Sequence, residues 1–236
     1  ITEEVYNQAD DKSVINECLI LKEEEYSQTF DGQDLKNLKY IFAPNIKSIH
    51  DNMFKWNEQL LEVFAPNVVC IGYSAFQYCK KLQHINFPLL ESISTHTFTG
   101  CDSLTIVELP SLKVAKDLGF FYCQSLTEFI AINLEQIQKN FFHYCLKLER
   151  VVTPNLNFIE GNPFRLCQQL TKINSQHIIA ESDAFECDCN RCPKCSGLML
   201  KMKCWQEQHQ KWCQKLQREC DGFIASKDLI NLKIIK

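Results

Sequence analysis

The sequence predicts a β-rich solenoid of short parallel strands stacked along one axis, and three periodic columns carry that prediction. Leucine recurs every 22 residues, at Leu38, Leu60, Leu82, Leu104, Leu126, Leu148 and Leu170. Phenylalanine keeps the same step at Phe54, Phe76, Phe98, Phe120, Phe142 and Phe164, and cysteine follows at Cys79, Cys101, Cys123, Cys145 and Cys167. Further columns stay in phase: Pro44, Pro66, Pro88, Pro110 and Pro154; Ile49, Ile71, Ile93, Ile137 and Ile159; and Val63, Ile85, Val107, Phe129, Val151 and Ile173. The unit is LxxIxxPxLxxIxxxxFxxCxxL. Its departures are local, with Ile132 and Gln176 at the proline position, Ala115 at the isoleucine position and Asn57 where the first cysteine would stand. A unit this short cannot close a core alone, whereas stacked units share one.

Within a unit, the run from Leu82 to Phe87 places Ile85 and Phe87 on one face and His84 and Asn86 on the other, the alternation of a strand. Pro88 then ends the strand, because it has no N–H to give to the ladder. Leu90 and Ile93 predict a second short extended piece before a corner at Phe98. The remaining residues leave no room for a full helix, so strands, turns and short 3₁₀ pieces are expected. Coils should stack at roughly 4.8 Å. Three regions follow: an acidic N-terminal cap over 1–34, the solenoid over 35–185 and a cysteine-rich, helix-containing C-terminal cap over 186–236.

The corner motif, seen in Phe76-Gln77-Tyr78-Cys79-Lys80-Lys81-Leu82, together with the Leu/Ile/Pro strand, resembles the BspA-like class of leucine-rich repeat. The resemblance covers about residues 35 to 185 and implies a leucine-rich repeat superhelix acting as a non-catalytic binding scaffold, often on the surface of anaerobic bacteria and parasitic protists.

The cysteine column reads as a buried ladder, each thiol packing as a small hydrophobe and offering a weak S–H donor to a neighbouring coil. Five thiols pointing the same way cannot all pair as disulfides, and no histidine or carboxylate column joins them to hold a metal. Outside the repeat stand Cys187, Cys189, Cys192 and Cys195, in the pattern CxCxxCxxC, followed by Cys204, Cys213 and Cys220. Four thiolates this close can wrap a structural Zn²⁺, with Cys204 or His209 as alternative ligands. The run around Phe185, Cys187 and Cys189, with Trp205, Cys213 and Cys220 after it, also resembles the disulfide-bonded C-terminal cap of extracellular leucine-rich repeat proteins. That resemblance implies pairing of Cys187 and Cys189 with two later cysteines and an extracellular or cell-surface location. Free structural thiols are the third reading. The chain has no N-x-[ST] sequon, which disfavours passage through a glycosylating compartment and keeps the cytoplasm as the alternative location.

Opposed charge marks the two ends: ten acids against Lys12 and Lys22 in residues 1–34, and ten basic against five acidic residues from 187 onward. A monomer with solubilising caps is expected, head-to-tail association being the alternative. Leu198, Met202, Trp205, His209, Trp212 and Leu216 form one stripe of an amphipathic helix, a lid for the last coil, with Gly222 at its end. The chain starts at Ile1, as expected of a fragment or processed product.

Composition excludes several function classes. With 45% hydrophobic and 23% charged residues the chain can build a core, and no apolar run is long enough for a membrane span. A formal charge of -4 and the lack of a basic block argue against nucleic acid as partner. No nucleophile elbow, phosphate-binding glycine loop or metalloprotease motif is present, and the histidines fall on different columns. A protein or peptide partner is therefore expected on the outward strand face, the alternative being a structural or adhesive cell-surface module whose repeats act as spacer, with glycan or host-surface contacts. Its first column is Tyr40, Glu62, His84, Ile106, Glu128, Arg150 and Lys172; its second is Phe42, Phe64, Asn86, Glu108, Ile130, Val152 and Asn174. Apolar members such as Phe42, Phe64, Ile106, Ile130 and Val152 are unusual on a solvated face and predict a contact surface. No cofactor is expected beyond the structural zinc.

Intact mass with and without reductant, together with elemental analysis for zinc, separates the three readings of the terminal cysteines. Disulfides appear as lost hydrogens restored by reductant, a zinc site as stoichiometric metal, and free thiols as neither.

Overall fold

The computed structural model describes residues 1–30, 35, 37–175 and the last strand at 179–180. In chain order the elements are α1 (Glu3–Gln8), β1 (Ser13–Ile15), β2 (Cys18–Ile20), β3 (Tyr40–Phe42), β4 (Ser48–Ile49), β5 (Glu62–Phe64), β6 (Cys70–Ile71), β7 (His84–Asn86), β8 (Ser92–Ile93), β9 (Ile106–Glu108), β10 (Val114–Ala115), β11 (Glu128–Ile130), β12 (Gln136–Ile137), β13 (Arg150–Val152), β14 (Phe158–Ile159), β15 (Lys172–Asn174) and β16 (Ile179–Ala180). From β2 onward each strand pairs in parallel with strands of neighbouring coils, as in the register Tyr40 to Glu62 to His84. Each coil therefore adds one three-residue strand to one side and one two-residue strand to another.

The third side is the corner. It forms no helix, but alternate N–H groups reach the next coil: Phe76 donates to Thr97 O at 2.9 Å and Tyr78 to Thr99 O at 2.8 Å, with the same pattern from Phe54 to Tyr144. Inside the corner the phenylalanine rings form a column from Phe30 through Phe54, Phe76, Phe98, Phe120 and Phe142 to Phe164, with centroid spacings from 5.0 to 6.2 Å. The cysteine column behaves as the sequence predicts. Cys79, Cys101, Cys123, Cys145 and Cys167 each donate S–H to the carbonyl of the phenylalanine one coil earlier, at 3.1 to 3.2 Å. Asn57, the departure from the column, performs the same task through Nδ2, donating to Phe30 O at 2.6 Å and Phe54 O at 3.0 Å. A related device follows the prolines, whose carbonyls accept from the next coil: Asn67 to Pro44 O, Ser111 to Pro88 O and Asn133 to Pro110 O.

Two features differ from the sequence reading. The N-terminal segment is more than an acidic cap, because Cys18, Leu19 and Ile20 pair in parallel with Tyr40, Ile41 and Phe42, carrying the 22-residue register one coil farther toward the N-terminus. The antiparallel hairpin of β1 and β2 then covers the edge of that sheet. Secondly, the long ladder is interrupted between β7 and β9, which fall in separate sheets. Phe87 and Leu109 stand there in the column that holds Ala43, Ala65 and Ala131 elsewhere. Phe87 wedges between Phe76 and Phe98, 6.0 and 6.4 Å away, and Ile85 is left only partly buried. Extra bulk in adjacent coils forces them apart locally. The C-terminal cap and amphipathic helix expected over 186–236 fall outside the described residues.

Three outcomes follow from this packing. Phe98→Ala, which removes a fully buried ring from the middle of the column, should cost about 3–5 kcal/mol of unfolding free energy, measured by denaturant titration. Burial pushes the thiols of Cys79, Cys101, Cys123 and Cys145 above their ordinary value of 9.0, so they stay protonated in the fold while those of the unfolded chain ionise. Stability should be fully present below about pH 9 and fall as pH rises beyond it. Peptide mapping after brief alkylation of the native protein should find exposed Cys70 modified and the five column cysteines intact.

Candidate binding surfaces

The first column of the outward strand face stands in register on two runs of strands: Tyr40, Glu62 and His84 on one, and Ile106, Glu128, Arg150 and Lys172 on the other. In this first column Ile106 is 51% exposed beside the break in the ladder. Arg150 Nη2 pairs with Glu128 Oε2 at 2.6 Å, an ion pair in which the carboxylate is the more enclosed partner.

The second column is corrected in part. Phe42, Ile130 and Val152 are buried, with 2%, 2% and 4% of their surface accessible. Phe42 is sandwiched between Phe64, stacked at 5.2 Å, and Tyr6 of the N-terminal segment, edge-on at 5.3 Å. Ile130 and Val152 pack with Ile132, which replaces the usual proline, into a satellite cluster outside the main core. Strand alternation correctly placed these side chains opposite Val63 and its relatives, but covering residues remove them from solvent. Phe64, Asn86 and Asn174 are half-buried and Glu108 is exposed. The accessible surface is thus polar and charged around Ile106.

A second exposed array was not anticipated. Trp56, Tyr78, Gly100, Tyr122, Tyr144 and Leu166 occupy one corner position in successive coils, all at φ between 62° and 71°. Only glycine adopts that backbone without penalty, and a side chain there costs about 1–2 kcal/mol. Trp56 and Tyr78 stack at 4.3 Å, while Tyr122 and Tyr144 lie 5.2 Å apart with Phe121 and His143 around them. Between the two groups the Tyr78 ring lies over Gly100, where a Cβ would stand 2.5 Å from Cδ1. The 22-residue spacing of Trp56, Tyr78, Tyr122 and Tyr144 was readable in the sequence; their left-handed backbone was not, and it is shared by a second corner column, Asn52, Ser74, His96, Leu118 and Asn140, at φ between 53° and 60°. Burial lowers the pKa of His143, as it does that of His96, and the nearby cations Arg165 and Lys55 respectively add to the effect.

Residues 24–149 and 70–190 match the model of the BspA type leucine rich repeat region, in six copies. The chain belongs to the BspA-type leucine-rich repeat family. No curated protein is similar enough to this BspA-type chain to match it. Among solved structures it is similar to the Treponema pallidum (T. pallidum) leucine rich repeat protein, with a TM-score of 0.61 and 20% identity over 81% of this chain and 92% of that one. It is also similar to a leucine rich cell surface protein of Faecalibacterium prausnitzii A2-165, with a TM-score of 0.52 and 24% identity over 67% of this chain and 43% of that one. These likenesses concern the fold. Cys187, Cys189, Cys192 and Cys195 of this BspA-type chain lie outside the described residues. Among the described residues no group of three His, Cys, Asp or Glu side chains could hold a metal ion, and no helix is long and apolar enough to cross a membrane.

The correction to the face is open to measurement. Ile106→Ser should leave unfolding free energy within about 0.5 kcal/mol, as expected of an exposed position. Ile130→Ser should cost about 2–4 kcal/mol by burying a hydroxyl in an apolar cluster and removing packing.

Proposed function

We propose that this chain is a non-catalytic scaffold that recognises a protein or peptide on the exposed part of its strand face. The observation that carries the reading is Ile106, a large apolar side chain 51% exposed in an otherwise polar column, with Glu108, Glu128 and Arg150 around it. An apolar anchor ringed by groups able to form hydrogen bonds is the anatomy of a protein interface, and the stacked coils hold it without a cost in ordering. Its position at the interrupted ladder adds a local change of surface shape to an otherwise regular array. The contact set is Tyr40, Glu62, Phe64, His84, Asn86, Ile106, Glu108, Glu128, Arg150, Lys172 and Asn174.

A second reading, a structural or adhesive cell-surface module in which the coils act as spacer, is favoured by the description of the F. prausnitzii relative as a cell surface protein. An extracellular or cell-surface location belongs to the same proposal, as does a terminal cap held either by zinc on Cys187, Cys189, Cys192 and Cys195 or by disulfides from Cys187 and Cys189 to two later cysteines.

Selection of a displayed peptide library on the intact protein, followed by titration of the recovered peptides, tests the binding face. Ile106→Ser combined with Arg150→Glu should weaken them by about tenfold or more, whereas Lys113→Glu on the other sheet should not. Peptides that bind the double variant as tightly as the original would overturn the strand face as the site.

A further inference from the structure

Where each three-residue strand begins, two successive N–H groups converge on one carbonyl of the coil before. Leu61 and Glu62 donate to Lys39 O, Gln83 and His84 to Leu61 O, and Thr127 and Glu128 to Thr105 O, at 2.7 to 3.3 Å. Thr105 and Ile106 break the series: among the described residues their N–H groups meet no acceptor, and Gln83 O, the carbonyl in the matching place, meets no donor. The far end of the same strand repeats the defect. Ala43, Leu109 and Ala131 each donate to the following coil at 2.8 to 3.0 Å, whereas the N–H of Phe87 has no acceptor although that residue is only 1% exposed. A backbone N–H enclosed in this way normally has a partner.

The strands on either side of the break stand apart. At least one of the register pairs His84–Ile106, Ile85–Val107 and Asn86–Glu108 has its Cα atoms more than 8 Å apart, against about 4.8 Å for hydrogen-bonded neighbours. The two coils are nevertheless locked together on their other sides. β8 pairs with β10, Phe98 and Gly100 donate to Gly119 O and Phe121 O at 2.8 Å, and Ser111 Oγ donates to Pro88 O at 2.7 Å. The scaffold, with the Phe87 ring as its wedge, thus holds a slot open on the strand face alone.

Partial charges on the two banks define what fits the slot. N–H groups of Thr105 and Ile106 line one bank and Gln83 O the other, so the occupant must present an acceptor to one side and a donor to the other. An extended polypeptide carries both, because successive residues direct their N–H and C=O to opposite edges. Two strands that receive a third between them stand about 9.6 Å apart, twice the strand spacing. A helix uses its backbone groups internally and cannot bridge the banks. Ile106, 51% exposed on the rim, then meets side chains of the inserted segment. On the reading that the strand face is the binding surface, we propose that its partner enters as an extended segment inserted between β7 and β9, completing the ladder that the chain itself leaves open.

Amide hydrogen exchange followed by NMR, with peptides selected from the displayed library on the intact protein, tests the insertion. In the free protein the amides of Thr105 and Ile106 should exchange faster than those of Thr127 and Glu128, their paired counterparts. Saturating peptide should slow Thr105, Ile106 and Phe87 together. N-methylation of the peptide backbone, one position at a time, should weaken binding about fivefold or more at consecutive positions, since an inserted strand bonds to both banks. Three results overturn the insertion while leaving the strand face standing, provided the same peptides lose affinity for the variant carrying Ile106→Ser and Arg150→Glu. They are unchanged exchange at Thr105 and Ile106, tolerance of N-methylation throughout, and sensitivity only at alternate positions, the pattern of a strand added to a single edge. Peptides that bind the double variant as tightly as the original, or a selection that yields none, overturn the face and the insertion together.

Discussion

Each coil of this chain has to pass its backbone hydrogen bonds to the next, and that requirement governs the rest of the structure. The three-residue and two-residue strands pair between coils, and at the corner N–H groups that reach the next coil alternate with ones that close turns within their own coil. A backbone group that misses its partner here would be buried without compensation. The unit length must therefore stay close to constant, and side chains at one position must stack on their own kind. The phenylalanine column, the cysteine column and the prolines are consequences of this register. Cysteine suits its place because its small apolar side chain fits the interior and its S–H reaches the carbonyl one coil back.

The same constraint makes the exceptions informative. Asn57 keeps the bond to the previous coil with a stronger donor at the point where the regular repeat begins, and Phe30 continues the ring column beyond it. Gly119 and Phe141 exchange volume between adjacent coils, since the Phe141 ring occupies the space a side chain at 119 would need. Phe87 and Leu109 do not exchange volume in this way, and the ladder opens beside them. The opening coincides with the most exposed isoleucine of the strand face, so a packing conflict in the interior reshapes the surface proposed to bind a partner. Surface ion pairs one coil apart, such as Lys113 with Glu91, follow the register but contribute little to stability at their exposure.

Much of the architecture was legible because a fixed period is insensitive to the local preferences of single residues. The first coil was not, because Phe30 stands two residues out of step with Phe54 and the chain between Leu21 and Leu38 carries no leucine or proline in phase. For the strand face, alternation says which side of the sheet a residue occupies but not what lies on top of it. Tyr6 is distant in sequence from Phe42 and Phe64, and no pattern links them. Ile132 gives a partial signal, since it breaks the proline column where Ile130 and Val152 become buried.

The sequence by itself determined the solenoid, the place of its strands and corners, the burial of the cysteine column and the family, because each depends on repetition that can be counted. Tertiary structure decided which outward residues are accessible, where the ladder opens and which corner residues hold a left-handed backbone. Those properties depend on contacts between coils and on the energy of each backbone angle, and neither is written in the identity of a single side chain.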